Sequence, residues 1–245
     1  MALNYDYPSI AKMIDHSLLQ PMLTVKELEA GCALALAYDV ASVCILPYYA
    51  KRAAEILKGS TVQPSTTIGF PHGGHTTKVK LDEVRQALAD GATELDMVVN
   101  ISKTKSGDWA YVAAEIALLT RETHAGRAKI KVIFENAYQD ENSKIELCRI
   151  CGEAGVDWVK TSTGYAPSGA TFDDLRLMRK YSPARVQVKA AGGIRDLNAL
   201  LAAREIGVTR VGASRTSEML EECRKRLGLA PIVTASGTFT AATGY

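Results

Sequence analysis

From residue 9 almost to its end, the chain alternates short apolar, β-branched runs with longer helical patterns, and this alternation limits the fold more than any other feature. A strand, a crossover helix and a further apolar strand make a βαβ unit, which generates a parallel sheet. The expected strands are Met13–His16, Ser42–Leu46, Thr66–Phe70, Glu94–Val99, Lys131–Glu135, Trp158–Thr163, Arg185–Ala190 and Thr209–Gly212. Between them run helical patterns over Val25–Tyr38, Ala50–Lys58, Thr77–Ala89, Trp109–Thr120, Asp140–Ala154, Thr171–Lys180, Asp196–Glu205 and Arg215–Leu227. Eight of each predict closure into a (β/α)8 TIM barrel. A length of 245 residues suits one such barrel, and no linker-like stretch divides the chain, so residues 1–245 are expected to form a single domain. Thr24-Val25-Lys26-Glu27 matches a capping box at a helix start. The segment 231–245 is the exception: its small and hydroxyl residues carry no helical stripe, and it is expected to be a mobile C-terminal tail unless docked.

Two lysines lie on these strands, Lys160 in Trp158-Val159-Lys160-Thr161 and Lys189 in Gln187-Val188-Lys189-Ala190. Alternation puts Trp158, Lys160 and Ser162 on one face of the sixth strand and Gln187 and Lys189 on one face of the seventh. If both lysines face inward, their ammonium groups approach to ~5 Å, where repulsion is about 3 kcal/mol at an effective dielectric of ~20. That corresponds to roughly two pKa units, against about half a unit in water, so the effect requires a shielded site. A lysine depressed in this way is a neutral amine able to attack a carbonyl, which makes a Schiff-base enzyme the first hypothesis. The bland alternative is a lysine that snorkels outward or pairs with a buried carboxylate. Both residues fall late in their strands, at the end where barrels keep their active sites.

Asp96 lies late on the fourth strand, placed either to accept from Lys189 or a substrate hydroxyl, or to form a structural ion pair. Asp15, His16 and Glu135 end other strands on the same rim. Cys44 is read as a buried thiol close to that rim, and Cys148 and Cys151, one turn apart, as core residues. His72 and His75 invite a metal reading, but no Cys or carboxylate follows at a zinc-like spacing, and no metal is expected. Gly192-Gly193 after the seventh strand, Gly212-Ala213-Ser214 after the eighth and Gly164 after the sixth predict a phosphate cradle, with backbone N–H groups and a helix dipole facing the anion.

A formal net charge of +2 supplies no field for nucleic acid, and no apolar run approaches the ~20 residues of a membrane span. Five cysteines, an odd number, behind a start without signal-peptide character predict a reducing, cytoplasmic setting.

The motifs Val159-Lys160-Thr161-Ser162-Thr163-Gly164, Val188-Lys189-Ala190-Ala191-Gly192-Gly193-Ile194-Arg195, Glu94-Leu95-Asp96-Met97-Val98 and Ile68-Gly69-Phe70-Pro71 together resemble the deoxyribose-phosphate aldolase family. The match runs in order from Ile14-Asp15-His16 through Gly212-Ala213-Ser214. The resemblance implies a class I aldolase without metal or other cofactor. Its substrates are small aldehydes and sugar phosphates: it interconverts 2-deoxy-D-ribose 5-phosphate with acetaldehyde and D-glyceraldehyde 3-phosphate. It further implies Lys160 as Schiff-base nucleophile, Lys189 as the neighbour that lowers its pKa, and Asp96 as acid/base partner. Asp15, Cys44 and the terminal Tyr245 are expected around these groups, and a homo-oligomer, dimer or higher, is expected. Tyr165 stands where some relatives have lysine, and His72-Gly73-Gly74-His75 where Leu-Gly is common. Two other readings remain open on the residues themselves: non-covalent proton transfer by Asp96 and a lysine, and a sugar-phosphate-binding barrel without catalysis.

Overall fold

A computed structural model describes residues 4–232. The strands are β1 (Ile14–Leu18), β2 (Ser42–Ile45), β3 (Gln63–Ile68), β4 (Glu94–Val98), β5 (Lys129–Ile133), β6 (Trp158–Lys160), β7 (Gln187–Ala191) and β8 (Val208–Ala213). They pair in parallel, in chain order, and β8 returns to β1 to close the barrel. The helices are α1 (Tyr7–Ala11), α2 (Val25–Ala37), α3 (Ala50–Leu57), α4 (Thr77–Ala89), α5 (Ile101–Lys105), α6 (Trp109–Ala125), α7 (Glu141–Ala154), α8 (Phe172–Tyr181), α9 (Leu197–Ile206) and α10 (Thr216–Arg226). The short helices α1 and α5 are additions to the expected pattern. The capping box at Thr24 forms as its sequence predicts. Residues 233–245, with most of the expected tail, lie outside the described residues.

Three strand boundaries shift for local reasons. β3 begins at Gln63 and stops before Gly69, whose φ of +63° leaves the strand region. β5 begins at Lys129 and ends at Ile133, because Glu135 adopts a left-handed conformation. β6 has only three residues, so Thr161 to Thr163, expected as strand, are irregular although buried.

Successive strand residues face opposite layers. Leu95, Met97, Ile130, Val132, Val159, Val188 and Val211 join Val84, Ile116, Leu119, Leu147, Leu175, Leu200 and Leu220 of the helices in a continuous apolar cluster. Cys148 and Cys151 belong to it, as expected of core thiols. The alternate positions, Asp15, Ser42, Cys44, Ser65, Thr67, Glu94, Asp96, Lys131, Trp158, Lys160 and Lys189, are also buried, yet nearly all are polar. The apolar burial that holds this barrel together is therefore between sheet and helices, and its axis is left for charge.

One buried ion pair ties the outer layer to the sheet. Lys80 of α4 donates to Glu115 of α6 and to the Val98 carbonyl at the end of β4, both at 2.8 Å. Both partners are essentially inaccessible, at 0% and 1% exposure, so neither charge has water to fall back on. The Lys80 stem runs against Gly69, where an added Cβ would meet Cε at 2.7 Å. Removing one partner of such a pair costs about 3–5 kcal/mol, whereas replacing both by apolar groups is far milder. Lys80→Met is therefore expected to lower the urea midpoint sharply, and adding Glu115→Leu to recover part of the loss. Simple additivity of the two changes would show that the pair is not coupled.

Candidate active site

Strand register brings the charged residues together. Asp96 lies beside Lys131, Lys131 beside Trp158, Lys160 beside Lys189, and Asp15 beside Gly212. A register shift between β7 and β8 puts Arg210 opposite Lys189. The Trp158 ring forms a floor, with the Arg210 guanidinium 5.1 Å and the Lys131 ammonium 5.7 Å from its centre. Its indole N–H donates to Thr209.

Asp96 is the hub. One of its oxygens, Oδ2, accepts from Lys160 and from Lys189, both at 2.8 Å, and Oδ1 accepts from Lys131 at 2.8 Å. Lys189 also holds Asp15 at 2.5 Å. Lys131 holds Glu94 at 2.7 Å, and Arg210 bridges Asp15 and Glu94. Both lysines singled out from the sequence thus face inward onto one carboxylate oxygen.

The cluster holds one cation more than it has carboxylates, and Lys160 is the cation with a single carboxylate partner. The carboxylates Asp15, Glu94 and Asp96 match the cations Lys131, Lys189 and Arg210, which leaves Lys160 in excess. Buried excess charge is expensive, so the cluster favours Lys160 without its proton. Burial depresses the Lys160 pKa below the ordinary lysine value; Asp96 opposes this and Lys189 reinforces it. Burial acts on Lys189 in the same sense, but Asp15 and Asp96 outweigh it, and its pKa is raised. Lys131 is raised in the same way by Asp96, Glu94 and Asp15 against its burial. For Asp96, burial favours the acid form, yet Lys131, Lys160 and Lys189 hold it well below the usual carboxylate range. The geometry offers two amines of unequal basicity and a carboxylate in mutual contact, a set suited to adding an amine to a carbonyl and moving the protons that follow.

Other expected residues take different places. Cys44 puts its sulfur 4.0 Å from Asp96 Oδ2, and burial, with Asp96, pushes its thiol pKa up. His16 alternates with the inward Asp15 and leaves the cluster: its Nδ1 meets the Thr216 hydroxyl at 2.8 Å, and burial lowers its pKa to about 4. Glu135 turns to the backbone and hydroxyl of Thr163. His72 and His75 are both exposed, and among the described residues no three His, Cys, Asp or Glu side chains stand together to hold a metal ion. Tyr245 lies outside the described residues.

The expected cradle lies at the same end of the barrel. Gly164, Gly192 and Gly193 have φ of +93°, +70° and +83°. Gly169 packs backbone to backbone on Gly192, where an added Cβ would meet the Gly192 carbonyl carbon at 2.5 Å. Ala170 N–H donates to the Ala191 and Gly192 carbonyls. Ser214 is exposed, and α10 begins after Arg215 without a side-chain cap. Helices α4, α6, α7, α8 and α9 are capped by Thr76, Asp108, Asp140, Thr171 and Asp196. The first N–H groups of α10 therefore lack the side-chain oxygen that those helices supply.

Sequence reasoning passed over Lys131, Glu94, Arg210 and Gly169. The first three carry the signal that singled out Lys160, a charge within an apolar strand, but each falls at or near a strand head, where a solvated end is the ordinary reading.

Comparison with known proteins shows the family. Residues 9–214 match the DeoC/LacD family aldolase model. The chain is 61% identical over 236 residues to a deoxyribose-phosphate aldolase of Rhodopirellula baltica, covering 96% of this chain and 98% of that one. It is 45% identical to the deoxyribose-phosphate aldolase of Caldanaerobacter subterraneus subsp. tengcongensis, covering 89% and 95%. Among solved structures it superposes on QR15, an aldolase, with a TM-score of 0.84 and 39% identity over 89% of this chain and 97% of that one. A tetrameric deoxyribose phosphate aldolase from Aeropyrum pernix gives 0.82 and 29% over 91% and 93%. With a matched family model across most of its length and relatives of this identity, the chain belongs to the DeoC/LacD family of aldolases.

Proposed function

We propose that this protein is a deoxyribose-phosphate aldolase that works through a Schiff base on Lys160. The observation that carries the reading is the unequal pairing of two lysines on one oxygen: Lys189 has two carboxylate partners, Asp15 and Asp96, and Lys160 has one. In the synthetic direction the lone pair of Lys160 Nζ adds to the carbonyl carbon of acetaldehyde, and loss of water leaves an iminium. The iminium withdraws electrons from the methyl carbon, which gives up a proton and becomes the nucleophilic end of an enamine. That carbon attacks the aldehyde carbon of D-glyceraldehyde 3-phosphate, and the new alkoxide takes a proton. Water adds to the second iminium and releases 2-deoxy-D-ribose 5-phosphate with Lys160 free again. Lys189, held protonated, is the proton donor, and Asp96 passes protons between the two amines and water, a contribution of about 10²–10⁴-fold in rate. Asp15 fixes Lys189, and Cys44 closes the wall beside Asp96.

The phosphate is assigned to the backbone of Gly164, Gly192, Gly193 and Gly212, with Ser214 and the start of α10. The open N–H groups of that helix and the positive φ at three of these glycines support this placement. A homo-oligomer fits the tetrameric relative from Aeropyrum pernix. The cytoplasm fits five buried, unbridged cysteines, and among the described residues no helix is long and apolar enough to cross a membrane. The low net charge gives no reason to expect a nucleic-acid partner.

Borohydride reduction with acetaldehyde present is expected to leave an ethyl group on the peptide carrying Lys160, read by mass measurement. An adduct on Lys189 would reverse the two roles, and no adduct would remove the Schiff base.

Because the reactive form of Lys160 is neutral, trapping should slow as pH falls through its depressed pKa. Lys189→Leu removes a neighbouring positive charge and leaves Asp96 to pair more fully with Lys160, so the Lys160 pKa rises and the acid limb of the trapping profile moves to higher pH. Turnover is expected to fall by at least about 10²-fold. Stability should fall by about 3–5 kcal/mol, since buried carboxylates lose a partner. An acid limb that stays in place would remove Lys189 from the tuning of Lys160.

A further inference from the structure

Glu135 is a buried carboxyl group without an ion-pair partner among the described residues, in a backbone conformation that non-glycine residues avoid. We propose that it is a positioning residue, which anchors the segment after Lys160 and thereby sets the β6 side of the phosphate cradle. The inference rests on the aldolase reading above.

The ladder between β5 and β6 fails just where the cradle begins. The Phe134 N–H still donates to the Lys160 carbonyl and the Asn136 N–H to Thr161, but the left-handed turn at Glu135, φ +54° and ψ +66°, ends the strand. On the β7 side the Thr161 hydroxyl takes over, accepting from the Ala191 N–H at 3.0 Å. On the β5 side the Glu135 side chain does so. Its Oε1 accepts the Thr163 N–H at 3.2 Å, and its Oε2 accepts the Thr163 hydroxyl proton. The same turn that breaks the strand aims this carboxylate at Thr163, which gives the strained conformation a reason to persist.

Thr163 passes the constraint to the mouth of the barrel. Its hydroxyl oxygen accepts the Tyr165 N–H at 3.0 Å, which brackets Gly164 between two fixed residues. The Tyr165 hydroxyl donates to the Leu19 carbonyl at 2.6 Å beyond β1, and its ring meets Phe70 beyond β3 edge to face at 5.4 Å. A chain of contacts thus runs from Glu135 through Thr163 to Tyr165 and joins loops from opposite sides of the barrel. The Glu135 oxygens hydrogen-bond to Thr163 and make no ion pair with Lys160 or Lys189 among the described residues, so the residue's direct contacts bear on where the substrate's phosphate sits.

The test compares 2-deoxyribose 5-phosphate with unphosphorylated 2-deoxyribose in steady-state cleavage, alongside acetaldehyde trapping. Glu135→Leu and Thr163→Val are each expected to raise KM for the phosphorylated sugar roughly tenfold, the factor that corresponds to losing a hydrogen bond to a charged group. Both should leave cleavage of 2-deoxyribose and the trapping rate near the wild-type values. Thr163→Ser restores the hydroxyl and should return KM toward wild type. If Glu135→Leu does not fold, the Thr163 pair decides the matter alone. Equal losses on both sugars and in trapping, or an unmoved KM, would overturn the assignment. A wild-type protein that neither traps acetaldehyde nor cleaves the phosphorylated sugar would instead sink the aldolase reading itself.

Discussion

One carboxylate oxygen shared by two lysines is the interaction on which the rest of this structure depends. Asp96 Oδ2 brings Lys160 and Lys189 into a common field, and Oδ1 draws Lys131 up from the layer below. With three cations already matched to three carboxylates, a fourth buried ammonium would have no counter-charge. The lowered basicity of Lys160 is thus a property of the whole cluster rather than of a single neighbour. Low dielectric makes each pairing stronger and each mismatch costlier.

Such an axis constrains the architecture around it. A barrel usually fills its interior with branched apolar side chains, whereas this one devotes the inner face to Asp, Glu, Lys, Arg, Ser and Thr. Its stability must come from the opposite face of each strand packed on the helices, where the apolar cluster is continuous. The buried ion pair in that layer, Lys80 with Glu115, is itself satisfied and ends on a strand carbonyl. The buried charges of that layer are thereby kept paired.

Much of the fold was legible because it rests on periodicity. All eight strands and the eight long helices stand where alternation predicts them, with ends displaced by a few residues. The displaced ends are instructive: Gly69 and Glu135 leave the strand region through backbone conformations that a hydrophobic pattern cannot encode, and β6 stops at Lys160. The site was legible where a charge interrupted the middle of an apolar run, as at Lys160, Lys189 and Asp96. It was not legible at Lys131 and Arg210, where the same charge near a strand head looks like a solvated end. His16 fails for the complementary reason, since its neighbour Asp15 takes the inward direction and alternation sends the imidazole to Thr216.

By itself the sequence determined that parallel strands alternate with helices, that two lysines occupy adjacent strands at one end, and that glycines follow the last strands. These are consequences of local pattern, which every residue carries with it. Only the tertiary structure decided which lysine is the less basic. That choice depends on how many carboxylates stand within contact of each nitrogen, and on the β7–β8 offset that places Arg210 opposite Lys189 and in contact with Asp15. Two lysines on neighbouring strands are equivalent until closure of the barrel gives one of them two anions and the other a single shared one.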